Sequence, residues 1–297
     1  MDFRLTEDQR ALRKGVRELL ARLFDREALR AAVDAPSLDR GLWRELGAAG
    51  FFALRLPEEE GGVGLGLPEA VLAFEEAGRC LVPGPLVATH VAAGSVPGAA
   101  EGSTVVTEVD EGLVPWLDEA DVVLGDATGA VPMRSVDPLT PLHRAPGLVG
   151  TTGVPDTADV LPTTGVAVLL TAAEQVGSAA ATTEMAVRYA REREQFGQVI
   201  GGFQAVKHLC AGMLVRVELA RAAVWAASVT ADPVEIAGAK LLADEAATGN
   251  ARDCLQVYGG MGFTWEADVH LHLKRAWVRA ELRLPAARAE EVVAAGL

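Results

Sequence analysis

The chain has 297 residues, half of them apolar, enough for a core spread over two or three units of ordinary domain size without staples. A formal net charge of −14 excludes a nucleic-acid sheath and an anionic membrane surface, because a phosphate lattice would repel it, but a local Arg cluster or helix N-terminus can still bind one anionic ligand. Cys80, Cys210 and Cys254 show no zinc-type spacing and read as reduced core thiols, and no apolar run reaches the ~20 residues of a membrane span, so a soluble, cytoplasmic protein is expected.

Thr6 followed by Gln9 is a capping-box signature, and Leu12, Val16, Leu19, Leu20 and Leu23 follow at helical spacing. A short second helix is expected through Leu42 to Leu46, stopping near Gly50. A turn-rich loop runs from Pro57 through Glu58, Glu59, Glu60, Gly61 and Gly62 to Gly66, after which Pro68 starts a helix at its first position, with Val71, Leu72, Phe74 and Ala77 on one side. From Pro83 to Pro162 the texture changes to short runs such as Thr104-Val105-Val106, Val122-Val123-Leu124 and Leu148-Val149, broken by Gly, Pro and Asp, which read as short strands. The helical period returns at Gly165, most clearly in the stripe Val206, Leu209, Cys210, Met213, Val217, Ala220 and Val224. The expectation is a mainly α (α+β) chain: an N-terminal helical domain (1–95), a small middle β domain (96–163) and a C-terminal four-helix bundle (164–297). This order disfavours an alternating Rossmann arrangement.

Two segments could carry chemistry. Tyr189 to Gln204 reads as a helix ending in charges and a Gly, a turn, and a new helix with Phe203 and Gln204 at its start. Arg193 there could clamp a diphosphate through its planar fork and Gln204 could donate to a flavin or phosphate oxygen, or the charges could simply complement the macrodipole. In Gln256-Val257-Tyr258-Gly259-Gly260-Met261-Gly262-Phe263, Gly259 suits a helix stop, but two further glycines exceed what a stop requires. Either something approaches the backbone closely or the turn packs against another helix.

Together the two segments resemble the acyl-CoA dehydrogenase family, which carries an Arg-x-x-Phe-Gly turn, a Phe-Gln helix start and a Gln-x-x-Gly-Gly-x-Gly loop in this order. The resemblance extends over nearly the whole chain, including Leu5-Thr6-Glu7-Asp8-Gln9 and the Pro57 to Gly62 loop. It implies FAD as cofactor, lying across a subunit interface, with Arg193, Gln195, Phe196 and Gln204 at one end of a flavin. Gln256, Gly259 and Gly260 would meet the adenosine diphosphate part of a flavin held mainly by the neighbouring subunit.

The family reaction needs a carboxylate to take the proton from the thioester α carbon while hydride passes from the β carbon to the flavin. The resemblance places Arg283 at the usual position of that base and Ala167 at or near the alternative one. Glu174 and Glu281 are the nearest carboxylates by sequence. The middle β domain is also shorter than the family's and lacks its Thr-Glu-Pro and Trp-Ile-Thr type segments. Such a chain resembles one subunit of the actinobacterial heteromeric acyl-CoA dehydrogenases, in which a homologous partner subunit shares FAD and supplies the base. Their substrates are bulky acyl-CoA thioesters such as steroid side chains, and an electron-transfer flavoprotein is the expected acceptor. The competing expectations are a self-sufficient homo-oligomer using Glu174 or Glu281, and a non-enzymatic scaffold without flavin.

Overall fold

The computed structural model describes residues 4–146 and 157–296, the first seven of the second stretch by backbone alone. The first helix, α1 (Glu7–Leu23), opens on the expected capping box: the Thr6 hydroxyl accepts from the Gln9 amide at 3.1 Å and the Gln9 side chain accepts from the Thr6 amide at 3.0 Å. A helix not anticipated, α2 (Arg26–Asp34), follows, capped by Asp25. Nine residues give too few turns for the period to show, although Leu29 and Val33 are buried one turn apart. The expected short helix is α3 (Arg40–Ala48), capped by Asp39. α4 (Leu67–Cys80) places Pro68 at its second position rather than its first.

Between α4 and the sheet lies α5 (Leu86–Ala92), not anticipated as a helix although it falls within the expected N-terminal helical domain (1–95). Five three-residue strands follow: β1 (Val106–Glu108), β2 (Leu113–Pro115), β3 (Val122–Leu124), β4 (Val131–Met133) and β5 (Leu142–Arg144). β1 and β3 pair in parallel, and β2-β5-β4 form an antiparallel sheet in which Leu113 and Val131 both face Arg144 in register. The expected Leu148-Val149 strand lies outside the described residues.

The bundle starts earlier than Gly165, with α6 (Thr157–Glu192), whose first residues include Pro162, a residue that in sequence reads as a break. A two-stranded hairpin, β6 (Glu194–Gln195) and β7 (Gln198–Val199), leads to α7 (Gln204–Thr230) and α8 (Pro233–Tyr258). A 3₁₀ turn over Gly259–Phe263 leads to α9 (Val269–Glu281) and α10 (Ala286–Ala295). α4 crosses α6 with backbones in contact: a Cβ on Gly177 would stand 1.9 Å from the Glu75 carbonyl oxygen, and one on Gly78 would stand 2.0 Å from that of Glu174. That crossing fuses the N-terminal helices to the bundle in one core containing Leu20, Trp43, Phe74, Leu169 and Val217. No helix of the described residues is long and apolar enough to cross a membrane.

Candidate functional site

The residues singled out from the sequence fall in two regions, one at an end of the bundle and one in a cleft between the sheet and the bundle. At the bundle end, the ends of α6 and α8 are joined by the chain's two tyrosines, Tyr189 and Tyr258, stacked with centroids 4.1 Å apart and planes 14° from parallel. Beneath them Ala186, Ile200, Met213, Ala251 and Cys254 form a separate small core. Neither tyrosine was singled out from the sequence, though both lie within the two motif segments.

Above that core the β6–β7 turn places Phe196 and Gly197 at φ of 54° and 78°, as a two-residue hairpin loop requires. Phe196 is 91 % exposed and touches Phe203 edge to face. The Arg193 backbone is fixed, its amide donating to the Tyr189 carbonyl at 2.8 Å, while its guanidinium is exposed and meets no hydrogen-bond or ion-pair partner among the described residues. Gln195 is exposed and donates to the Glu194 carbonyl at 2.6 Å. Gln204 is the exposed first residue of α7, and Gln256 is exposed in the last turn of α8.

The glycine loop divides between the two alternatives left open by the sequence. A Cβ built on Gly259 or on Gly260 would meet nothing within 4 Å among the described residues, whereas one on Gly262 would press on Leu255 and Tyr258 of α8. Gly259 has a φ of 58°, which accounts for its identity, but Gly260 has neither a positive φ nor a crowded neighbour within the chain. The space over Gly260 is open, as it is over Gly15, Gly61, Gly197 and Gly238, and the exposed Arg193, Gln204 and Gln256 carry donors of the kind that suit the phosphates and amide edges of a dinucleotide such as FAD.

The second region is a cleft of about 60 Å³ between the start of α5, the sheet, α6 and α9. Its walls include Leu86, Val87, Trp116, Thr171, Val278 and Leu282. Arg283 lines it, as does Glu174. Glu174 is buried and paired with Arg279 at 2.7 Å. Burial pushes the Glu174 carboxyl up, against the pull of Arg279, Arg275 and Arg283, and burial lowers Arg279 to about 10. Arg275 pairs with buried Asp137 and donates to the carbonyls of Val82 and Leu139 at 3.2 and 3.1 Å. Arg283 reaches Glu108 at 2.6 Å, and its amide donates to Asp110, which burial raises to about 6.

Ala167 is buried on α6 and is not among the cleft-lining residues, although its carbonyl accepts from the hydroxyl of Thr171, which is. Glu281 is exposed at the end of α9 and does not line the cleft. Of the two nearby carboxylates, only Glu174 reaches it.

Two helical blocks fused through α4 and α6, with a small sheet between them, define the architecture of an acyl-CoA dehydrogenase-type chain. The family model described as acyl-CoA dehydrogenase, N-terminal domain, matches residues 6–105, and the one described as acyl-CoA dehydrogenase, C-terminal domain, matches residues 163–282. The chain is 36 % identical to acyl-CoA dehydrogenase IpdE2 of Mycobacterium tuberculosis, over 93 % of each. Among solved structures it is similar to a steroid ACAD variant (TM-score 0.81, 25 % identity, 98 % of each chain). The ChsE4-ChsE5 complex from Mycobacterium tuberculosis shares the fold, with a TM-score of 0.80 at 23 % identity over 99 % of this chain and 98 % of that one. The chain belongs to the acyl-CoA dehydrogenase family.

Proposed function

We propose that this chain is a subunit of a hetero-oligomeric, FAD-dependent acyl-CoA dehydrogenase that shares the flavin site with a homologous partner and leaves proton abstraction to that partner. The observation that carries the reading is the state of the cleft's charged groups: Arg283, which the family resemblance puts at the base position, is bound to Glu108, and the one carboxylate among the cleft's lining residues, Glu174, is held by Arg279. Although burial raises the Glu174 carboxyl, its hydrogen bond to Arg279 occupies it, and taking a proton from substrate would leave that arginine unpaired in the interior. The open space over Gly260 leaves room for an external ligand at the bundle end.

Arg193 and Gln204 would hold one end of a flavin, with Gln195 and Phe196 beside them, and Gln256, Gly259 and Gly260 would take the adenosine diphosphate of the flavin centred on the neighbour. FAD when bound supplies the acceptor for the hydride leaving the thioester β carbon. This chain's part is to orient the cofactor, to exclude water at the interface with exposed Phe196 and Phe263, and to contribute no base. Bulky CoA thioesters such as steroid side chains are the proposed substrates, in keeping with the steroid ACAD among the similar structures. An electron-transfer flavoprotein is the proposed acceptor.

The test is to purify the chain alone and co-expressed with the dehydrogenase-like product encoded beside it, and to record mass and visible spectrum. Flavin colour and a stable hetero-oligomer only with the partner are expected; normal dehydrogenase turnover by the chain alone would sink the reading. The placement of Glu174 in the cleft keeps one second reading, a homo-oligomer with Glu174 as base, for which Glu174→Gln would abolish turnover while leaving FAD bound.

A further inference from the structure

Three independent features converge on Arg283. With φ of 51° at Arg283 and 77° at Leu284, two consecutive non-glycine residues occupy the left-handed region, a disfavoured conformation that persists only where the surroundings hold it. The turn sends the guanidinium into the cleft. There Nη1 of Arg283 and Nη1 of Arg279 are both buried and meet no acceptor among the described residues. Buried donors without a partner are rare, so an acceptor from outside the chain is called for.

Charge tells what kind of acceptor. Arg275, Arg279 and Arg283 already have one carboxylate each, in Asp137, Glu174 and Glu108, and Asp110 accepts the Arg283 amide. An added anion would stand beside Glu174 and Glu108 with no cation left to answer it. What the cleft lacks is lone pairs, and the rest of its wall, including Leu86, Val87, Trp116, Val278 and Leu282, is apolar.

We propose that this cleft binds a neutral carbonyl oxygen, of a thioester or ketone, accepting from Arg279 and Arg283, and holds it unreacted with the carbon body on the apolar wall. The inference rests on the shared-flavin reading only in naming a thioester as one source of that carbonyl.

The probe is S-acetyl-N-acetylcysteamine, a thioester without phosphates, titrated into the full chain while difference infrared spectroscopy follows its carbonyl stretch. A saturable fall in frequency is expected for the wild type, with affinity lowered by about tenfold or more in Arg283→Met, as loss of a charge-assisted bond implies. No saturable shift, meaning that water alone satisfies the donors, overturns the proposal, and so does a loss below about tenfold in that variant. Acetate binding more tightly than the thioester at matched ionic strength would make this an anion site and overturn it too. If circular dichroism shows Arg283→Met unfolded, Leu282→Trp, which fills the apolar wall, replaces it: a shift that survives there overturns the proposal, and one that disappears supports it. The titration needs neither flavin nor partner, so its failure leaves the shared-flavin reading standing, and a colourless complex would leave the carbonyl site standing.

Discussion

The bundle end and the cleft both draw on α6 and α9, yet they are finished to different degrees. In the cleft every arginine has its carboxylate, and both partners of the Arg275–Asp137 and Arg279–Glu174 pairs are buried. At the bundle end Arg193, Gln204 and Gln256 face outward without partners, while Phe196 and Phe263 are 91 % and 81 % exposed. Exposed aromatics beside unpartnered polar groups mark a surface completed by another molecule. In the cleft only the Nη1 donors of Arg279 and Arg283 stay open, whereas on the proposed reading the whole face of the bundle end is left for a ligand and a second subunit.

The contrast breaks most sharply if the cleft can be dismantled without harm. Asp137→Ala leaves Arg275 buried and unpaired, and its loss should cost about 3–5 kcal/mol, read as a lowered midpoint in chemical denaturation. A loss near zero would show that the pair is open to water and that the cleft is no better finished than the bundle end.

Acid is the next lever. His272, buried on α9 with Nδ1 2.8 Å from the Ser178 hydroxyl, is pushed down from 6.5 to about 3, chiefly by burial, and His90 on α5 is pushed down to about 4. Both fold as neutral rings, so their contribution is complete above pH 6.5 and is lost as pH falls below it. Asp110, raised to about 6, works in the opposite direction, since its protonation on acidification favours the folded state. The two histidines each contribute a loss of roughly 2 kcal/mol between pH 7 and pH 5, partly offset by the carboxyls of Asp110, Glu174 and Asp244, all raised by burial. Thermal melts across that range should show the fall, and His272→Gln should flatten it. A melt independent of pH would place these rings in contact with water.

Much of this was legible beforehand and some was not, for identifiable reasons. The α1 capping box, the α7 stripe and the glycine loop are local patterns, and each appears where its residues put it. α2 and α5 are nine and seven residues long, too short for a period to declare itself. Glu174 could have been placed with more care: it lies seven residues after Ala167, two helical turns, so the two positions share a face to within ~20°. Arg275, Arg279 and Leu282 repeat at intervals of four and three, which also puts them on one face of α9. What no local pattern shows is that Asp137 reaches Arg275 and that Glu108 and Asp110 reach Arg283, all three from irregular and short-strand segments. Tertiary contact alone brings them together.

Glycine substitutions sharpen the contrast at smaller amplitude. Gly177→Ala drives a methyl into the Glu75 backbone at the α4–α6 crossing, where neither helix can yield without its neighbours, and should cost about 1–3 kcal/mol.

Gly260→Ala should leave the stability of the isolated chain within about 0.5 kcal/mol, because its new methyl meets nothing within 4 Å and its φ is not one that glycine alone adopts. Its effect should surface only in the assembled protein, as a fall of about tenfold or more in flavin retained through purification with the partner, since the methyl would occupy the space the cofactor needs. Arg193→Ala should behave alike, losing flavin without losing stability, because its guanidinium has no partner among the described residues to forfeit. If Gly260→Ala keeps its flavin while Arg193→Ala loses it, the ligand lies over the β6–β7 turn and not over the glycine loop. The two motif segments would then serve different molecules.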